Sequence, residues 1–410
     1  DIGGVLWGAG ARDSYEEGLL IPPTLLYDKG KPNETLFNLL KRNVRAPMQT
    51  IGDINAQIAA NDQGRTGVLN LLEELNLNNL ELLSEKIISS TENAMRKAIS
   101  KAPDGKYNYA YEADGDGIDE PIKIDCTVTI DKDEITVDYE GTSGPHSLGI
   151  NAVLNYTYAY TAYPIKAIFS PDVPNNDGAF LPIHVTAPEG SLLNAKGSVP
   201  VGARNITGNM LHAPVFGALA KAVPEKVQAD CGSPCWCVVL SGEDENNPYE
   251  EYVEYFFLNG GYGARPNMDG ESVLSFPTNV SNVPIEVLET GIPIRFIEKS
   301  LIPDSAGKGK YRGGLGQRVV FEVISEKGLN MSLLTEKINH EAHGILGGEN
   351  ARVGLLHIEP NRDILPKGIT KLKKGDRVTL EVPGGGGYGS VEERSQDLIE
   401  HDKLHGYTSK

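Results

Sequence analysis

The sequence predicts an α+β fold with a helical N-terminal region, a mixed middle and a mostly β C-terminal region. Three observations carry this. Apolar residues recur near the helical period up to about residue 105, strand alternation takes over at Pro121, and alternating runs dominate from residue 236 onward. Elements segregated in this way form separate helical and sheet layers, whereas strict βα alternation would have indicated a parallel sheet.

The opening DIGGVLWGAGAR is punctuated by Gly3, Gly4, Gly8 and Gly10 and reads as a site loop. In PNETLFNLLKRNVRAP, Leu36, Leu39, Leu40 and Val44 share one side of a helix, Asn33 caps it and Pro47 stops it. Ile54, Ile58, Leu72, Leu75, Leu83, Ile87, Met95 and Ile99 continue the helical period, with a break around Asn78 and Asn79. PIKIDCTVTIDKDEITVDY alternates through Ile122, Ile124, Cys126, Val128 and Ile130, turns at DKDE and alternates again through Ile135, Val137 and Tyr139, as a hairpin with one buried face does. Two further helices follow, one capped by Asn151 and rich in tyrosine, the other over NITGNMLHAPVFGALAKAVPE, with the strand LPIHVTAPEG between them. Strands at WCVVLSG, YVEYFFLNGG, QRVVFEVISEKGLNMSLLTEK, ARVGLLHIE and DRVTLEVPGGGG precede a final polar helix, VEERSQDLIEHDKLHG. The expected regions are therefore 1–105, 106–235, 236–390 and 391–410.

Composition excludes several functions. With 56 acidic against 38 basic residues the net charge is −18, which repels phosphate backbones and anionic lipid and argues against a nucleic-acid partner. No run approaches the roughly 18 apolar residues of a membrane helix. Four cysteines are too few for a disulfide scaffold and suit a reducing cytoplasm. Three of them sit in CGSPCWC, readable either as thiolates for a soft metal or as a turn at Pro234 with half-buried thiols; the lack of a fourth ligand nearby favours the turn. The chain begins without Met or a signal-like segment, and a segment upstream of Asp1 is expected.

Phosphate-binding fingerprints are missing: there is no G-x-x-x-x-G-K-[ST], and PGGGGYGS opens no apolar helix. DSAGKGKYRGGLGQR, residues 304–318, gathers Lys308, Lys310 and Arg312 among glycines, which suits either an anion cradle or a basic turn before a strand. EADGDGIDE lacks the glycine a calcium loop needs at its sixth position, where Asp119 stands. His340 and His343 in NHEAHG lack the order of a metalloprotease helix and are expected to be surface residues. No G-x-S-x-G elbow is present, and Ser143 reads as a turn serine. The run NGGYGARPNMDGESVLSFPTNVSNVPIE, residues 259–286, has no helical or strand period. Its Arg265, Asp269, Asn279, Asn282 and Glu286 would be costly to order unless paired, and three prolines stiffen it, so a rigid hydrogen-bonded loop is expected.

These motifs resemble a known family. GGYGARPNMDG, PTNVSNVPIEVLE, PDSAGKGKYRGGLGQ, PGGGGYG and HGYTS, together with DIGG, EEGLLIPP, NVRAP and GDINAQIAAN, are similar in order and spacing to the hydantoinase B/5-oxoprolinase family over essentially the whole chain. The resemblance implies a large subunit working beside a hydantoinase A-type, actin-like ATP-binding partner, opening cyclic amides such as hydantoins, oxoproline or lactams. ATP would be bound by that partner, and the phosphate-activated amide would be hydrolysed in this subunit at a metal-bound water.

The resemblance also assigns residues. Asp1 matches a position beside the divalent metal (Zn, Mn or Fe), whose histidines lie in a part of the family absent here; that part is expected either upstream or on a separate small chain. Asp53, Arg265 and Asp269 are the implied catalytic positions, and Gln57, Asn279, Asn282, Lys308 and Arg312 the implied substrate contacts. A homodimer within a hetero-oligomer is the implied assembly. Two rival readings stay open, a subunit of an ATP-dependent ketone carboxylase acting on acetone or acetophenone, and a non-catalytic scaffold subunit.

Overall fold

The computed structural model describes residues 8–233, 235–243, 251–274 and 276–409. A two-residue ladder, β1 (Tyr27–Asp28) with β2 (Lys31–Pro32), leads into helix α1 (Glu34–Asn43). Asn33 caps α1 as its position predicts, its side-chain oxygen accepting from the Leu36 amide at 3.2 Å. Pro47 does not simply stop that helix; it opens the next, α2 (Pro47–Glu74), where a missing N–H costs nothing. Helix α3 (Glu81–Ile99) follows after a break at the asparagines, and Thr91, Met95 and Ile99 bury its inner stripe.

Four strands form the first sheet: β3 (Gly105–Ala113), β4 (Ile122–Asp131), β5 (Glu134–Asp138) and β6 (Ile183–Thr186), in the order β3-β4-β5-β6. Only β5 and β6 pair in parallel, because α4 (Leu154–Phe169) crosses between them. Asn151 does not cap α4. It is fully buried and clamps a loop instead, accepting from the His146 amide and donating to the carbonyls of His146, Leu148 and Pro200. Helices α5 (Arg204–Met210) and α6 (His212–Leu219) complete the layer over this sheet. The inward side chains of β4, from Ile122 to Ile130, join Met95, Ile165, Leu211 and Val215 in one apolar core.

A second core lies between two antiparallel four-stranded sheets. One has the order β13 (Lys367–Leu372), β11 (Leu329–Leu334), β7 (Trp236–Glu243), β8 (Glu251–Leu258). The other runs β12 (Leu355–Glu359), β14 (Arg377–Val382), β10 (Gln317–Val323), β9 (Ile294–Leu301), with helix α7 (Ile285–Gly291) entering β9. Trp236, Phe256, Phe321, Met331 and Leu380 fill the space between them. Helix α8 (Gln396–Leu404) lies near the end of the chain. The α+β class expected from the sequence is the observed one. Among the described residues, no helix is long and apolar enough to cross a membrane.

The glycine-rich loops interleave where the two cores meet. Gly314 donates to the Tyr262 carbonyl at 2.8 Å, Gly385 to Gly314 at 2.9 Å, and Ala264 to Gly386 at 3.0 Å. Backbone stacks directly on backbone: a Cβ at Gly385 would stand 2.1 Å from the Tyr262 oxygen. Residues 259–274 are accordingly a rigid loop, tied also by Tyr262 to Glu271 at 2.9 Å and Gly270 to Arg312 at 2.7 Å.

Candidate active site

Between α4, α6 and the 262–276 loop lies a cavity of about 470 Å³. Its walls are the aromatic rings of Tyr163, Phe216, Tyr262 and Phe276, and its polar groups include Arg265, Gln228 and Lys226. Phe276 organises the wall, stacking on Phe216 with ring centroids 6.1 Å apart and meeting Tyr262 edge-on at 5.2 Å. Burial pushes the Tyr163 and Tyr262 phenols up from their ordinary values, so both stay neutral at physiological pH.

Arg265 is delivered by a tight turn in which its amide donates to the Met268 carbonyl at 3.0 Å. The guanidinium lies 5.4 Å over the Tyr262 ring and pairs with Glu271, while its Nε is buried with no hydrogen-bond partner. The Arg265 side chain lines the cavity and stays 30% exposed, so its guanidinium can meet an acceptor placed there.

Behind the wall sits a buried charged cluster that the sequence did not reveal. The His212 ring meets Phe276 edge-on at 5.1 Å, and His212 Nε2 faces Asp230 Oδ1 at 3.5 Å. The other Asp230 oxygen pairs with Lys337 and accepts from Tyr111 at 3.2 Å. Burial works against the Asp230 carboxylate, but the Lys337 ammonium together with His212 and His343 outweighs it and holds the group ionised, well below its ordinary value. Lys337 is a buried non-glycine residue at φ +64°, a conformation kept only where neighbouring contacts over-determine it. Tyr109 and His343 extend the cluster outward, with the phenol oxygen 2.8 Å from Nδ1. Thus His343 is half-buried in a network, and His340 pairs with the buried Asp114 at 2.9 Å; neither is the free surface residue expected from NHEAHG.

The structure scatters the other residues singled out by the sequence. Asp53 and Gln57 are exposed on α2, which buries none of its residues, and neither lines the cavity. Asp269 and Arg312 belong to an ion network with Arg394 and Asp402. Lys308 is exposed beside that network, at a small cavity of about 160 Å³. Asn279 takes the left-handed conformation at φ +53°, and Asn282 donates to Val273 at 3.4 Å and accepts from Gln317 at 3.4 Å, holding the 273–282 loop. Asp1 and Pro234 lie outside the described residues. Cys231, Cys235 and Cys237 are buried rather than half-buried. Among the described residues, no group of three or more His, Cys, Asp or Glu side chains converges as metal ligands. These residues alone therefore do not fit the expected divalent metal.

Residues 1–391 match the family described as Hydantoinase B/oxoprolinase. An uncharacterized protein of Methanocaldococcus jannaschii is 34% identical, the alignment covering 98% of this chain and 71% of the relative. Caprolactamase subunit beta of Pseudomonas jessenii is 29% identical over 100% of this chain and 73% of its own length. The crystal structure of ATP-dependent caprolactamase from Pseudomonas jessenii superposes with a TM-score of 0.87 at 27% identity, covering 100% of this chain and 73% of that one. A nucleotide-free acetone carboxylase structure shares the fold, with a TM-score of 0.85 at 18% identity over 100% of this chain and 62% of its own. A family match over nearly the full length, supported by a 34% identical relative covered over 71% of its sequence, makes this chain a member of the Hydantoinase B/oxoprolinase family.

Proposed function

We propose that the chain is the substrate-transforming subunit of an ATP-dependent cyclic amidase. The ring of the amide occupies the aromatic cavity, and Arg265 addresses its activated oxygen. The observation that carries this reading is the partly exposed Arg265 guanidinium in the lining of a pocket walled by four aromatic rings. Flat ring faces suit the apolar part of a lactam or hydantoin, and a guanidinium suits the anionic oxygen that phosphorylation creates.

Since the sequence carries no phosphate-binding fingerprint, ATP belongs to a partner subunit in this proposal. The partner transfers the γ-phosphoryl group to the amide oxygen; one water adds to the activated carbon and the C–N bond breaks, giving the freed amine and an acyl phosphate, and a second water hydrolyses the acyl phosphate to carboxylate and inorganic phosphate. Arg265 neutralises charge on the phosphorylated oxygen, while the rings exclude bulk water. A divalent metal would require ligands beyond the described residues. A cytoplasmic hetero-oligomer belongs to the same proposal.

The test is cyclic-amide-dependent ATP turnover by the chain assembled with an ATP-binding subunit. Arg265→Gln is expected to raise the KM for the amide about tenfold or more, the loss of one charge-assisted hydrogen bond. Unchanged kinetics in a folded variant would remove Arg265 and this cavity from the site. The fold shared with acetone carboxylase supplies the second reading, a ketone carboxylase. ATP turnover that required acetone and bicarbonate instead of a cyclic amide would select it.

A further inference from the structure

His401, in the last turn of helix α8, and His405, the residue that caps its C-terminus, stand one turn apart, and both are exposed. Their ring centroids are 4.1 Å apart and the planes differ by 32°. Tyr407 flanks the pair at 5.9 and 5.6 Å. His405 Nδ1 lies 2.9 Å from the His401 carbonyl oxygen. A carbonyl can only accept, so the hydrogen of the neutral His405 ring is on Nδ1, and the Nε2 lone pair remains available. That tautomer is the one a metal needs, with the second nitrogen held by a hydrogen bond to a backbone carbonyl.

We propose that His401 and His405 form a two-ligand chelate for a divalent transition-metal ion of the Cu²⁺, Ni²⁺ or Zn²⁺ class. Two histidines four residues apart on a helix face one ion, which is how zinc-binding helices present a ligand pair. Bonds of about 2.0–2.1 Å hold the two nitrogens roughly 3 Å apart, within reach of rings already stacked at 4.1 Å. Water takes the remaining positions, since no third His, Cys, Asp or Glu converges there among the described residues. The net charge of −18 raises the local concentration of cations. Binding has a structural consequence. The turn between the two histidines carries Asp402, which joins Arg312 and Arg394, so an ion bridging His401 to His405 fixes the part of the helix that closes this network.

Calorimetric titration of the full chain with each ion at neutral pH tests the site, using His401→Asn, His405→Asn and the double variant. Because both rings are exposed, the variants should keep the parent's thermal midpoint in metal-free buffer. One equivalent of Cu²⁺ is expected with the highest affinity of the three. Each single substitution should weaken it about tenfold or more. Zn²⁺ should slow amide exchange in α8 of the parent and not of the double variant. Failure of the parent to bind, or binding that survives unchanged in the double variant, overturns the proposal.

Discussion

Asp269 holds Arg394 through both carboxylate oxygens, each 2.8 Å from a guanidinium nitrogen. Arg394 also reaches Asp402 at 2.6 Å, Arg312 meets Asp402 at 3.2 Å, and the Arg312 amide donates to Asp269 at 2.7 Å. Two acids and two arginines thus close a ring that fastens α8 to the glycine-rich loops. An Asp269 so occupied is placed to hold structure. Asp269→Ala, which removes one of the two carboxylates that balance the buried Arg394 and Arg312 guanidinium groups, should cost about 3 kcal/mol. The check is a urea unfolding midpoint with amide exchange in α8; full stability with lost activity would return Asp269 to the chemistry.

The same residue sets an acid limit. Burial disfavours its charged form, but the hydrogen bonds and charge of Arg394 outweigh burial, and the carboxyl lies below its ordinary value. A depressed folded value stabilises fully above the unfolded value near 3.9 and is lost as pH falls through the folded one. The attachment of α8 should therefore be insensitive to pH above about 5 and release below about 4. Fluorescence or exchange probes on α8 that released between pH 6 and 8 would contradict this.

Gly385 offers a sharper test of the interleaved loops. A Cβ there would meet the Tyr262 carbonyl oxygen at 2.1 Å, and that atom is backbone, with no rotamer to escape through. Gly385→Ala should cost about 3 kcal/mol or more, at the severe end of overpacking. By contrast, Gly375→Ala has nothing within 4 Å and only the strain of φ +82°, so its cost should stay near 1 kcal/mol, about that of one strained residue. Equal unfolding midpoints for the two variants would mean the loops part more easily than their packing implies.

Legibility followed locality. The α1 cap, the break before α3 and the β4–β5 hairpin each depend on neighbours a few residues apart, and each could be read from spacing. Strand β9 could not, because most of its side chains are exposed or half-buried and no clean alternation marks it. Asn151 looked like a cap because polar residues before helices usually are; its burial among distant carbonyls overrode that local role. Of the site, the family motif pointed to Arg265, whereas Asp230 and Lys337 are brought together from 107 positions apart and left no motif. What sequence could offer was only a hint, an Asp set among Val227, Ala229 and Cys231.

His343 should make stability depend on pH near neutrality. Burial lowers its affinity for a proton, and the Tyr109 phenol, pushed up to about 12, stays neutral and shares a 2.8 Å hydrogen bond with Nδ1. A lowered folded value contributes fully above the unfolded value near 6.5 and is lost as pH falls below it. Chemical denaturation between pH 8 and 5 should show stability declining on the acid side, with a flatter profile in His343→Gln. Superimposable profiles would mean that the Tyr109 contact opens without cost.

Asp53 and Gln57 pose the opposite case to Asp269. Both are exposed on a 28-residue helix with no buried residue, so neither is held by packing within this chain. Asp53→Ala and Gln57→Ala should each leave the stability of the isolated chain within about 0.5 kcal/mol. That neutrality makes them informative in the assembly proposed above. A loss of turnover there, with stability unchanged, could not be attributed to folding and would assign the α2 face to a site completed by other parts of the assembly. Unchanged turnover would remove both residues from the chemistry and leave the Arg265 cavity as the place to look.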